Sequence, residues 1–266
     1  MPRTDHDAAL PALAAPAVAL FVSDVHLQAD APRTAQAFFD FLEQARGVPQ
    51  VYLLGDLFEY WAGDDDLASP FNASVVAALS RLSIDGVALF WMPGNRDFLI
   101  GEAFARAAGL TLLADPTVMT IAGRRIVMAH GDLQCTDDVA YQAFRTQVRS
   151  QAWQQAFLAQ PLAQRLMLIG KMREGSRLAQ RGKSLAIMDV NLAAIEALFA
   201  ASSTDLMIHG HTHRPARHVH FIDGLHHERH VLPDWDCETA AWRGGGVVID
   251  AAGLLHAVAL PGTAPP

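Results

Sequence analysis

The chain has 266 residues, 51% of them hydrophobic and 18% charged, with a formal net charge of −8. This is enough apolar material for one sizeable core; no run of about 18 uninterrupted apolar residues offers a membrane span, and the acidic balance argues against general nucleic-acid binding. Two cysteines, Cys135 and Cys237, are too few for a disulfide framework and read as inert filler; with no secretory block at the N-terminus, a cytosolic enzyme is expected.

Residues 1–16, rich in Ala and Pro, read as a loose leader. "AVALFVSD" is an apolar run ending in polar residues, "TAQAFFDFLEQA" has helical spacing, and "VYLLGD" is a second apolar run, which together make a β-α-β unit. A helix over Ser69–Leu82, the strand "VALFWMPGN" and the helix "GEAFARAAG" repeat the pattern and predict a parallel sheet covered by helices. "VMTIAGRRIVMAHGD" reads as a hairpin turning at Ala122–Arg124. From 139 to 200 the periodicity becomes helical, broken by Pro161, Gly170, Gly175 and Gly182, and 139 to about 190 reads as an inserted helical cap. The strand "DLMIHGHTHRP" follows, then "ARHVHFID", "HHERHVLP", "GGGVVID" and "LLHAVAL", so that one domain spans 17–260 with a short tail at 261–266.

Charge is unevenly spread. Between Val139 and Val190 there are eight Lys and Arg against two Asp and Glu, whereas the rest of the chain carries 12 against 26. An acidic body with one basic segment points to an anionic ligand or membrane surface approached from one side.

Chemistry-bearing residues stand where apolar runs end: Asp24 and His26 in "SDVH", Asp56 in "GD", Asn95 in "GN", His130 in "HGD", and His211 and His213 in "GHTH". The carboxyl ends of parallel strands form the ligand crevice of open α/β sheets, so these groups are expected to converge. Carboxylate, imidazole and amide oxygen suit Mn, Fe or Zn, and seven groups suffice for two metals sharing one ligand. In D-x-H and H-T-H, alternate side chains of an extended chain share a face, and Gly55, Gly94, Gly131 and Gly210 would let backbone approach the metals. His209 is left out of the set and reads as a buried structural histidine.

The ordered set D-x-H, GD, GN, H, GHTH resembles the calcineurin-like metallophosphoesterase superfamily across nearly the whole chain. The resemblance implies an α/β fold, a β-sandwich flanked by helices, with a dinuclear centre. It assigns Asp24, His26, Asp56 and His213 to one metal, and Asp56, Asn95, His130 and His211 to the other. A hydroxide shared by two divalent ions is a nucleophile at neutral pH, because metal binding lowers the pKa of water from about 15.7 towards 7. Many members read G-N-H-[DE], where this chain has "GNRDF"; Arg96 cannot protonate a leaving alkoxide but can clamp a phosphate, which points to a good leaving group such as one half of a pyrophosphate.

"SDVHL", "GDLFEYWAGDD", "PGNRDFL", "HGDLQCTDD", "KSLAIMDVN" and "MIHGHTHRP" further resemble the UDP-2,3-diacylglucosamine hydrolases of lipid A biosynthesis, over about residues 17–260. That family's activity is Mn-dependent hydrolysis at the α-phosphorus to UMP and 2,3-diacylglucosamine 1-phosphate, by a peripheral protein on the cytoplasmic face of the inner membrane. The resemblance gives catalytic roles to Asp56, Arg96 and His211, and substrate contacts to Asn95, Arg96, Asp138, Ser176, Lys183 and His211; Gln180 stands where the family pattern has Asn. UDP-2,3-diacylglucosamine, its lipid product and an anionic membrane surface are the expected partners, with no nucleic acid, for a monomer. The cap's Phe144, Trp153, Phe157, Leu162, Leu166, Met167, Ile169 and Met172, interleaved with Arg145, Arg149, Arg165, Lys171, Arg173, Arg177, Arg181 and Lys183, would supply apolar walls and cations together. An ordinary amphipathic helix pair fits the same periodicity. Two other readings compete: a dinucleoside polyphosphate hydrolase or general phosphodiesterase, and a non-catalytic scaffold, of which decayed metal ligands would be the mark.

Overall fold

In this computed structural model the described residues are 15–180, 187 and 189–260, without the side chains of 176–180. Most of the expected leader and the whole tail lie outside them. Strands β1 (Ala17–Val22), β2 (Gln50–Leu53), β3 (Ala88–Trp91) and β4 (Leu110–Leu112) run parallel. Helices α1 (Pro32–Gln44), α2 (Pro70–Ile84) and α3 (Glu102–Ala108) connect them, as the repeated β-α pattern predicts. The hairpin β5 (Thr117–Ile121) and β6 (Arg124–Ala129) starts a second sheet, which continues through β7 (Leu206–His209), β8 (Ala216–Ile222) and β9 (Leu225–Val231). Its two-residue turn needs left-handed backbone at both positions, and Ala122 (φ 48°) and Gly123 (φ 74°) supply it. Strands β10 (Gly245–Asp250) and β11 (Leu255–Ala259) return to the first sheet and pair antiparallel beside β1. The sheet orders are β11-β10-β1-β2-β3-β4 and β5-β6-β7-β9-β8.

Alternation along β1 shows how the layers are bound. Leu20 and Val22 face α1 and α2, while Ala19 and Phe21 face the second sheet and meet Ile126, Met128, Leu206 and Ile208. Each of these large side chains is fully buried, worth about 1.5–3 kcal/mol apiece. The outer face of the second sheet is covered by α7 (Leu192–Ser202) through Ile195 and Phe199.

The expected cap comprises α4 (Val139–Arg149), α5 (Gln151–Leu158) and α6 (Leu162–Gln180) within the described residues. Gly170 and Gly175 do not break it: α6 runs through both, and the interruption comes at Pro161, which precedes its first turn. Some helix caps come from far away in the chain. The Asp64 carboxylate accepts the backbone N–H groups of Gly101, Ala103 and Phe104, and Glu238 accepts those of Arg33 and Thr34, so each satisfies a helix N-terminus that lacks its own capping side chain.

Candidate metal centre and substrate cleft

The loops ending β1, β2 and β3 in one sheet and β6 and β7 in the other bring all seven expected ligands together. The crevice therefore lies where strand ends of the two sheets meet, as the β-sandwich implied by the resemblance requires. His213 Nε2 lies 3.4 Å from Asp24 Oδ1, and His26 Nε2 lies 3.3 Å from His213 Nε2 and 3.9 Å from Asp56 Oδ2. The other carboxylate oxygen of Asp56 is 3.7 Å from His130 Nε2, while Asn95 Oδ1 is 2.9 Å from both His130 Nε2 and His211 Nδ1. Two ligand groups thus meet at Asp56.

Shared orientation of alternate ligands does not come from extended chain. Asp24 and His26 (both φ 53°), Asp56 (52°), His211 (68°) and His213 (54°) all occupy the left-handed region, which is unfavourable for residues with a Cβ. The neighbouring glycines also permit close contact between the loops themselves. A Cβ on Gly94 would collide with the Asp56 amide and carboxylate, and one on Gly210 with the carboxylate of Asp24 and the hydroxyl of Ser23, so these glycines let ligand loops touch each other.

Acceptor groups lie behind the outer nitrogens of three of these rings. His26 Nδ1 lies 3.1 Å from Glu59, His213 Nδ1 lies 3.4 Å from Asp234, and His130 Nδ1 is 3.0 Å from the Leu54 carbonyl. Only the His130 contact has hydrogen-bond geometry; the Nε2 atoms of the three rings point inward at one another, at Asn95 Oδ1 and at carboxylate oxygens, and Asp24 Oδ1 is buried without a hydrogen-bond donor. Acceptors facing acceptors need a cation between them, and the nitrogen and oxygen donor set fits divalent ions. The electrostatics make the same demand. Burial alone would depress His130, yet Asp56, Asp24, Asp132 and Asp115 push it up to about 9. Burial would raise Asp24, yet His213, His130 and His26 hold it well below the usual carboxylate range. Burial and His130 push His211 down to about 4.

Several residues essential to this geometry were not singled out by sequence reasoning. Asp97, fully buried, accepts the N–H groups of Asp56, Leu57, Phe58 and Gly94 and so ties the β2 and β3 loops together. Asp132 accepts from Tyr141 Oη (2.6 Å) and Arg145 Nε (2.8 Å), and the Tyr141 ring stacks 6.1 Å from that of His211. Glu59, Asp97 and Asp132 sit inside the quoted motifs, where their spacing could have flagged them; Asp234, in "LPDWD", carries no such signal. His209 is fully buried, with Nδ1 2.9 Å from the Gly210 carbonyl and Nε2 accepting from Arg229 at 2.9 Å, a structural residue.

Two cavities meet at this centre. A polar cleft of 740 Å³ contains His26, Asp56, Asn95, Arg96, His211 and His213, and an apolar cavity of 340 Å³ beneath the cap is walled by Phe98, Phe144, Trp153, Phe157, Ile169 and Met172. Asn95, Arg96, Glu59 and Tyr141 line both, and Arg96 Nε is buried without a hydrogen-bond partner. Asp138 lines the polar cleft while capping α4 through the Tyr141 N–H. The side chains of Ser176 and Gln180, and all of Lys183, lie outside the described residues.

Among the described residues, four of the cap's arginines are turned to the body rather than to an open anion-binding face. Arg145 pairs with Asp132 and Asp115, Arg149 donates to the Gly94 carbonyl, the buried Arg165 binds Asp65 and the Ala62 carbonyl, and Arg173 Nη2 is 2.5 Å from Glu59. They latch the cap to the acidic body, because a charge carried into a partly buried interface is retained only when it is paired.

A family model of calcineurin-like phosphoesterases matches residues 18–215. Among curated proteins, a UDP-2,3-diacylglucosamine hydrolase of Aromatoleum aromaticum is 52% identical over 86% of this chain and 94% of its own length. Those of Bordetella pertussis (46%, over 87% and 91%) and Aeromonas hydrophila (48%, over 81% and 90%) are similar to it over nearly the same span.

Proposed function

The chain belongs to the calcineurin-like phosphoesterase family and, within it, to the UDP-2,3-diacylglucosamine hydrolases, and on that premise we propose that it hydrolyses the pyrophosphate of UDP-2,3-diacylglucosamine at the α-phosphorus, releasing UMP and 2,3-diacylglucosamine 1-phosphate in lipid A biosynthesis. The observation that carries this reading is the junction, at Asn95 and Arg96, of a charged cleft with an apolar cavity under the cap. A substrate with a phosphate bridge between a polar half and an acylated half fits that division; a dinucleotide leaves the apolar chamber without a purpose.

In this reading Asp24, His26, Asp56 and His213 hold one divalent ion, and Asp56, Asn95, His130 and His211 the other, both manganese. Bound there, the ions supply water activated near neutral pH and neutralise phosphoryl charge. The protein's own part is orientation. Asp56 spans the two ligand groups, and Asp97 fixes its backbone. His211, held at about 4, is neutral at pH 7 and acts as a ligand rather than an acid. Arg96 binds the leaving phosphate through paired N–H groups and has no proton to give, which suits a phosphate monoester that departs without acid help.

Asp138, Ser176, Gln180 and Lys183 complete the substrate contacts in this reading, and the chain works as a monomer held peripherally at the cytoplasmic face of the inner membrane. No helix of the described residues is long and apolar enough to cross a membrane, while Phe144, Leu158 and Met167 are exposed on the cap and suit shallow contact. Flotation with anionic liposomes checks this; recovery of all the protein in the soluble fraction would sink it.

The activity is tested by Mn-dependent turnover of UDP-2,3-diacylglucosamine in ¹⁸O water. Label is expected in UMP, and Asp56→Ala should lower turnover by at least about 10³-fold. Label in the lipid product would overturn attack at the α-phosphorus.

A further inference from the structure

The ligand cluster divides the polar cleft unequally. His211 and Asn95 adjoin Tyr141 and the capped chamber, whereas His213 and Asp24 adjoin the segment 234–243 through Asp234 and the backbone N–H of Trp235. On that second side the 740 Å³ cleft runs on past the loop after β1 and the start of α1, lined by Gln28, Thr212, Trp235, Asp236 and Arg243. This limb is lined mainly by polar side chains. Arg243, about half exposed, keeps Nε 2.8 Å from Asp234 and Nη1 3.4 Å from Asp236. The indole of Trp235 is braced edge-on against Phe38 and Phe41 at 5.7 and 5.2 Å, so this wall is rigid.

We infer that this limb, between Gln28, Trp235 and Arg243, is the subsite for the uridine half of the substrate and sets its nucleotide specificity. The inference rests on the function proposed above. If the α-phosphorus sits over the ligand cluster and the acylated sugar phosphate fills the apolar chamber, the 5′-nucleoside leaves the centre on the opposite side, over His26 and His213. The limb's chemistry matches what arrives there. The primary amide of Gln28 presents a donor and an acceptor together, the complement of the uracil N3–H and its flanking carbonyls. Asp236 can accept ribose hydroxyls, as acidic side chains do in nucleotide sites. Neither residue is a metal ligand, and neither touches the capped chamber.

Gln28→Ala and Arg243→Ala separate the two limbs. Binding of UMP and of 2,3-diacylglucosamine 1-phosphate is measured separately by titration calorimetry with manganese present, alongside wild-type turnover of UDP-2,3-diacylglucosamine. Each variant is expected to weaken UMP by about tenfold, the loss of one good polar contact, and to change lipid-product binding by less than about twofold. Unchanged UMP affinity in both variants overturns the subsite and puts the nucleotide elsewhere. Equal loss of both ligands overturns it as well, since it would mean damage to the shared centre; Gln28→Ala guards against confusing this with the support that Arg243 gives Asp234. A wild-type protein that binds UMP through these residues yet spares UDP-2,3-diacylglucosamine would instead refute the function proposed above.

Discussion

The ligand loops and the cap both carry charge into the interior, and they stabilise it in different ways. In the loops, carboxylates are met by backbone N–H groups and imidazoles within the same cluster of strand ends, as with Asp97 and its four amides. In the cap, arginines cross to acids of the body far away in sequence, Arg145 to Asp132, Arg165 to Asp65 and Arg173 to Glu59. The first arrangement holds the centre through several bonds from one buried carboxylate. The second adds long-range ion pairs to the apolar packing of Phe157, Trp153, Leu168 and Ile169 against the body.

The sharpest break of this contrast is Asp97→Ala, which leaves four backbone donors without their acceptor. At about 1–3 kcal/mol for each unsatisfied buried group, the loss is at least about 4 kcal/mol in urea unfolding. A loss near 1 kcal/mol would mean that the loops hold themselves. Arg145→Ala removes the partner of a carboxylate that is fully buried and should cost about 3 kcal/mol, with faster hydrogen exchange in α4 but not in β1 or β2. Equal acceleration in the strands would deny the cap its separate status.

His209 tests the floor beneath the H-T-H loop. Burial and the Arg229 guanidinium hold its imidazole at about 3, below its ordinary value near 6.5. The unfolded chain therefore takes up this proton first as pH falls, and stability declines from about pH 6.5 towards 3. Between pH 7 and 5 the decline is about 2 kcal/mol, and His209→Gln should lack it, so the stability gap between the two proteins narrows by that amount. A constant gap would assign the pH dependence to other groups. The smallest expected effect is at the link between the regions: Glu59→Gln, which alters the partner of both His26 and Arg173, should weaken manganese binding at least about tenfold by titration. Unaltered affinity would reduce Glu59 to a tether for α6.

Much of this was legible in the sequence. The β-α repeats, the β5–β6 hairpin and the four C-terminal strands follow from periods of 3.6 and 2 and from turn residues, which act within a few residues of chain. That the seven candidate ligands converge was legible because each stands at the end of an apolar run, and a strand end is a local event. Their left-handed backbone was not, because D-x-H reads equally well as extended chain.

The sequence by itself determined which groups are available for chemistry and on which kind of element each lies. Tertiary structure alone decided which charges are free and which are spent. Arg145, Arg165 and Arg173 of the cap read as part of an anionic docking face until Asp132, Asp65 and Glu59 are brought beside them. Asp64, Glu238 and Asp234 look like ordinary surface acids until they cap α3, cap α1 and face His213. The physical reason is common to all of them: a charge's role is set by its nearest partner in space, and in this chain that partner stands up to about two hundred residues away in sequence.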